Sequence, residues 1–213
     1  MPLITVCVAL LIRAELRFDK RQIYVLKPLA TLLVIALALT APALPEPSPY
    51  RSWILLGLAL CLGGDIALMF QDRRRPFLLG LVLFLLGHIA YSVAFSLHAG
   101  ITGWTLWALL LLLVAGLAFY RLIAAGLGQM RLPVILYFLV ISLMVVTAAS
   151  VAGNPAIARE AAWLVLAGAG LFYISDVMLA ANRFWRPWKY NRLSLAFYYG
   201  GQALIALSTH QLA

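Results

Sequence analysis

Apolar residues run in long blocks along nearly the whole chain, separated by short polar or charged connectors. Eight blocks predict helices over Pro2–Ile12, Pro28–Ala41, Ser52–Phe70, Phe77–His98, Trp104–Tyr120, Leu132–Val151, Ala161–Ala181 and Leu193–Gln211. A run of roughly 20 apolar residues is enough to cross the hydrocarbon of a bilayer. The second block is short and is expected to borrow Tyr24–Lys27. The first has only eleven residues, so its helix either begins further upstream or does not fully cross. The expected fold is all-α: a single integral membrane domain over residues 1–213, a polytopic bundle of about eight transmembrane helices.

Composition agrees. A mean hydropathy of +1.00, with 65% hydrophobic residues, excludes an ordinary soluble domain. The formal charge of +9 would fit a nucleic-acid binder, but its distribution does not. Fourteen of the sixteen basic residues fall in four alternate connectors, Arg13 to Lys27, Arg73 to Arg75, Arg121 to Arg131 and Arg183 to Arg192. That alternation is the positive-inside pattern of a multi-pass protein of the bacterial inner membrane, with the basic loops cytoplasmic and facing anionic headgroups. Trp53, Trp104, Trp107 and Trp163 lie toward the opposite ends of their helices, where an interfacial aromatic belt belongs. The proline-rich stretch Ala41 to Pro49 is expected to be a stiff outside loop. Cys7 and Cys61 lack metal or redox spacing and are expected to be small core residues.

Within the apolar blocks only two acidic side chains remain, Asp65 and Asp176, in the similar settings Gly64-Asp65-Ile66-Ala67-Leu68 and Ser175-Asp176-Val177-Met178-Leu179. A carboxylate in hydrocarbon is costly and generally faces a polar interior. Asp65 is followed 23 residues later by His88, and Asp176 is followed at the same interval by Tyr199, with Tyr91 aligned to Gln202. This internal echo predicts a pseudo-two-fold repeat of four helices about the membrane normal. At about 1.5 Å of rise per residue, both Asp residues lie roughly 8–9 Å below the cytoplasmic boundary. Tyr199 enters from the same side, and His88, Tyr91 and Gln202 lie deeper. Lys27 is expected at the cytoplasmic mouth, as a snorkelling anchor or a phosphate ligand. Each of these residues also has a bland reading as interhelical glue, and Gly63, Gly64, Gly168 and Gly170 read as sites of close helix approach. His98 and His210 read as interfacial. With no HxxxH or HxxE spacing, no metal site is expected.

Four motifs, in order, carry a resemblance: Lys27-Pro28, Gly64-Asp65-x-x-Leu68, Phe84-x-x-Gly87-His88-x-x-Tyr91 and Phe172-x-x-Ser175-Asp176-x-x-Leu179. Together they resemble the YhhN-like family, the eight-helix membrane family that includes the lysoplasmalogenases. The resemblance implies hydrolysis of the vinyl ether bond of lysoplasmalogens to a fatty aldehyde and a glycerophospho-alcohol, without metal or organic cofactor. It implies a lysophospholipid as substrate, alongside the membrane lipids.

The chemistry suits the residues. Protonation of the vinyl ether β-carbon gives an oxocarbenium ion that water attacks, a charge problem resembling glycoside hydrolysis with its two carboxyl groups. One Asp would carry the proton; the other, hydrogen-bonded by groups such as His88, Tyr91 or Tyr199, would stabilise the cation and activate water. Asp176 is the favoured acid. Catalytic candidates are therefore Asp65, Asp176 and His88, and substrate-binding candidates are Lys27, Tyr91, Tyr199 and Gln202. The rival reading is a transporter of lipids or small molecules in which the two Asp residues couple a proton or cation.

Overall fold

The computed structural model describes residues 1–42, 48–70, 72–188 and 191–212. Pro45 and Pro47 of the expected stiff loop, and Lys189 of the last basic connector, lie outside the described residues. Eight α-helices form among those described: α1 (Pro2–Leu16), α2 (Lys20–Leu39), α3 (Pro49–Leu68), α4 (Arg74–Ser96), α5 (Gly103–Ile123), α6 (Arg131–Ala152), α7 (Arg159–Phe184) and α8 (Ser194–Leu212). Helices α2 to α7 are long and apolar enough to cross a membrane. The protein is a multi-pass integral membrane helix bundle. Helix α1, at 15 residues, rises only about 22 Å and is the shortest.

Most helices overrun the apolar blocks that mark them, because their ends reach into the polar interface. Helix α2 starts eight residues before its apolar block because Asp19 caps it, accepting hydrogen bonds from the backbone N–H groups of Arg21 and Gln22. Pro28 is carried inside that helix. Ser48 caps α3 in the same way, accepting from the Arg51 N–H.

Six helices close a ring in the order α2, α3, α4, α6, α7, α8 and back to α2, with α1 packed outside on α2 and α5 outside on α6. Each adjacency of the first half has its counterpart in the second: α1–α2 with α5–α6, α2–α3 with α6–α7, α3–α4 with α7–α8, and α4–α6 with α8–α2. The repeat is thus visible in the packing. Helix α5 is apolar on every face and almost wholly exposed, as a helix wrapped in lipid should be.

Glycine sets the two tightest pairs. A Cβ on Gly64 of α3 would lie 2.7 Å from the Phe84 ring of α4. One on Gly201 of α8 would lie 2.7 Å from the Gly168 carbonyl oxygen of α7. Gly170, expected at such a contact, faces open space instead, because it sits on the opposite side of α7 from Gly168. Trp53, Trp104, Trp107 and Trp163 are all exposed, as a belt requires.

Candidate active site

The helix ring surrounds a cavity that is open at one end, and both membrane carboxyl groups line it. Helix periodicity builds the walls. On α7, Asp176, Leu179, Ala180 and Arg183 follow the i, i+3, i+4, i+7 spacing of one helix face. On α4, Phe77, Leu81 and Phe84 do the same, as do Val134, Tyr137 and Phe138 on α6. The cavity reaches the basic-loop end of the bundle, where Glu15, Arg183 and Arg192 lie at helix termini.

The carboxyl groups have unlike partners. Asp65 has both oxygens engaged: Lys27 Nζ is 3.6 Å from Oδ1, while the hydroxyls of Thr31 and Tyr198 donate to Oδ2 at 2.7 and 2.8 Å. Gln202 Nε2 in turn donates to the Tyr198 hydroxyl at 2.8 Å. Asp176 receives the Tyr137 hydroxyl on Oδ2, and His88 Nε2 stands 3.9 Å from that same oxygen. No lysine or arginine lies within 4 Å of Asp176 among the described residues.

The pseudo-symmetry extends into these contacts. Each Asp sits on the third helix of its half. Each is met by the second helix of the same half, Lys27 and Thr31 for Asp65 and Tyr137 for Asp176. Each is also met by the fourth helix of the other half, Tyr198 for Asp65 and His88 for Asp176.

Several sequence candidates sit elsewhere than expected. Lys27 is not free at the mouth; it is buried and paired with Asp65, since an intramembrane carboxylate draws the nearest cation. Tyr91 is buried behind the wall, its hydroxyl directed to Cys61 Sγ at 3.8 Å. Tyr199 is also fully buried and donates to the Lys27 carbonyl oxygen at 3.0 Å. None of Tyr91, Tyr199 and Gln202 lines the cavity. Tyr199 and Gln202 support residues that do, Lys27 and Tyr198, whereas the hydroxyl partner of Tyr91, Cys61, does not line it either.

His88 is fully buried with no hydrogen-bond partner on either ring nitrogen among the described residues, clasped edge-on between Tyr137 and Phe172 at centroid distances of 5.3 and 4.7 Å. No group of three or more His, Cys, Asp or Glu side chains is placed to hold a metal among the described residues.

Tyr137, Thr31, Arg183 and Arg192 were not among the candidates. Tyr137 had a signal: it is a polar tip six residues into α6, at a depth similar to that of Asp176, and within one residue of the position that the repeat aligns with Lys27. Thr31 lies one helical turn beyond Lys27 on the same face. Nothing in the sequence distinguishes Arg183 and Arg192 from other basic-loop residues.

Residues 22–209 match the sequence model of the YhhN family. The chain belongs to the YhhN family. The matched span contains Lys27, Asp65, His88, Tyr137, Asp176 and Tyr198, and begins after Glu15. Among curated relatives, the chain is 34% identical over 171 residues to the lysoplasmalogenase TMEM86A of Bos taurus, covering 78% of this chain and 67% of that one. The Homo sapiens protein of the same name matches to the same extent. Against the membrane protein YhhN of Escherichia coli, identity is 30% over 213 residues, covering 97% of both chains. No solved structure is significantly similar to this family member.

Proposed function

We propose that this YhhN-family protein is a membrane hydrolase of the lysoplasmalogenase type, cleaving the vinyl ether bond of a lysoplasmalogen by carboxyl acid–base catalysis. The observation that carries the reading is one cavity lined by two carboxyl groups with unlike partners, a cation and two hydroxyls on Asp65 but only a hydroxyl and a nearby imidazole on Asp176. The names of the mammalian relatives supply the substrate class.

The division of labour follows from the partners. Asp65, with a cation and two hydroxyl donors, is equipped to keep its charge. Asp176 has no such cation, so a proton is its means of neutrality in an apolar cavity. Tyr137 occupies Oδ2 and leaves Oδ1 to carry that proton. Asp176 delivers it to the β-carbon of the vinyl ether, and the double-bond electrons form the new C–H bond. The resulting oxocarbenium ion is stabilised by the Asp65 carboxylate. Water adds to the α-carbon as Asp65 accepts its proton. Collapse of the hemiacetal breaks the bond to the glycerol oxygen, which takes the proton held by Asp65, while the hemiacetal hydroxyl gives its proton to Asp176; the aldehyde and the glycerophospho-alcohol leave and both carboxyl groups return to their starting states. His88, beside Asp176 and otherwise without a partner, is placed to move that proton.

Hydrolysis in deuterated water tests the sequence of bonds. Purified protein in detergent should release aldehyde carrying one deuterium on the carbon next to the carbonyl, and should leave an acyl lysophospholipid untouched. Intact substrate in detergent together with gradient-dependent flux in liposomes would favour the transporter reading instead.

A further inference from the structure

Three cations and three carboxyl groups line the cavity, and most of them cancel. Lys27 pairs with Asp65, and Arg192 Nε pairs with Glu15 Oε2 at 3.2 Å. In the proposed mechanism Asp176 is protonated. Arg183 makes no ion pair: no carboxylate lies within 4 Å of it among the described residues, and Asp72 acts on it only from further away. Its guanidinium is nevertheless held in place, 3.7 Å over the centroid of the buried Phe77 ring. A fixed, exposed guanidinium with no carboxylate in contact, at the mouth of an apolar cavity, is suited to an anionic headgroup.

We infer that Arg183, assisted by the Glu15-anchored Arg192, forms the subsite for the phosphate of a single-chain lysophospholipid. The inference rests on the hydrolase reading for the identity of the lipid. It assigns to Arg183 the phosphate-ligand part expected of Lys27. Arg183 follows Asp176 by two turns on the same lining face of α7, about 10 Å along the axis. The phosphate of a lysoplasmalogen is separated from its vinyl ether by the glycerol carbons, so headgroup at Arg183 and reacting bond near Asp176 lie along one helix. Leu179 and Ala180 form the apolar wall between them. Glu15 acts through Arg192, as a positioning residue, by fixing its guanidinium from α1.

The test compares full-length wild type, Arg183→Gln, Arg192→Gln and Glu15→Gln on two matched lipids, an alkenyl-glycerophosphoethanolamine and the phosphate-free alkenyl-glycerol. Arg183→Gln should reduce the ratio of kcat/KM between the two lipids at least about tenfold, mainly through KM of the phosphate-bearing one. Arg192→Gln should do the same to a smaller extent, and Glu15→Gln should have no added effect in the Arg192→Gln background. Arg121→Gln, which removes an equal charge from α5, should leave the ratio unchanged. Loss on both lipids alike, or an unchanged ratio, overturns the inference. A binding arm keeps it independent of turnover: the saturated alkyl analogue, which cannot be hydrolysed, should quench tryptophan fluorescence at least about tenfold more weakly in Arg183→Gln. If wild type binds the analogue in this Arg183-dependent way yet hydrolyses nothing, the hydrolase reading fails and the subsite stands. If soluble glycerol phosphate alone competes as well as the lipid, the site is for a free anion and the lipid assignment falls.

Discussion

Lys27 and Asp65 form an ion pair between α2 and α3 within the bundle, Nζ to Oδ1 3.6 Å, with both side chains buried. Removing one member of such a pair strands the other charge, which costs about 3–5 kcal/mol where it has been measured. Lys27→Ala should therefore lower both thermal stability and kcat, the latter about tenfold or more, with little change in KM. Steady-state kinetics with a melting curve in detergent checks this. A rise in KM alone would return Lys27 to a headgroup role.

The Tyr137 hydroxyl bonds Asp176 Oδ2, and its ring also packs against His88. Tyr137→Phe keeps the ring and deletes the bond. It should lower kcat about 10- to 100-fold while KM and folding are retained, because the bond becomes charge-assisted only as Asp176 gives up its proton, a gain of about 1.5–3 kcal/mol. Equal activity in the phenylalanine variant would remove Tyr137 from the proton-delivery step.

His88 offers a separation of stability from function. Two buried ring nitrogens without partners are a cost to the fold, so His88→Leu should hold or raise the melting temperature. The same change should lower kcat about tenfold or more if the ring moves a proton for Asp176. A stabilised variant with full activity would make His88 a packing residue.

Neighbouring glycines on α8 should behave differently. A Cβ on Gly201 meets backbone of α7, the Gly168 oxygen at 2.7 Å and the Phe172 nitrogen at 2.9 Å, and backbone cannot step aside. On Gly200 it meets only Leu171 Cδ1 at 3.6 Å, an ordinary contact. Gly201→Ala should cost about 1–3 kcal/mol, the usual penalty for overpacking, and Gly200→Ala almost nothing. Paired melting curves read the difference directly.

The sequence made the architecture legible because in a bilayer apolar length and basic-loop alternation carry most of the information. It was less clear about helix ends. The apolar block that marks α2 begins at Pro28, yet capping by Asp19 starts the helix at Lys20. Spacing alone also exposed the repeat, since Asp65 with His88 and Asp176 with Tyr199 share one interval. What spacing could not show is that the fourth helix of each half crosses to serve the other half's carboxyl group, His88 reaching Asp176 and Tyr198 reaching Asp65. Partners of this kind depend on rotation about each helix axis. One residue of rotation decides that Tyr198 and not Tyr199 bonds Asp65, and long apolar helices with polar residues on several faces leave that angle undetermined.

Hydrolysis of a vinyl ether by two carboxyl groups in one cavity requires both Asp65 and Asp176. The most direct measurement is aldehyde release from lysoplasmenyl-ethanolamine by purified wild type, Asp65→Asn and Asp176→Asn, each shown to be folded and monodisperse in detergent. Wild type should release aldehyde, and either variant should lose at least about 100-fold, the scale of a removed acid or base. Wild-type rates persisting in either asparagine variant would contradict that requirement.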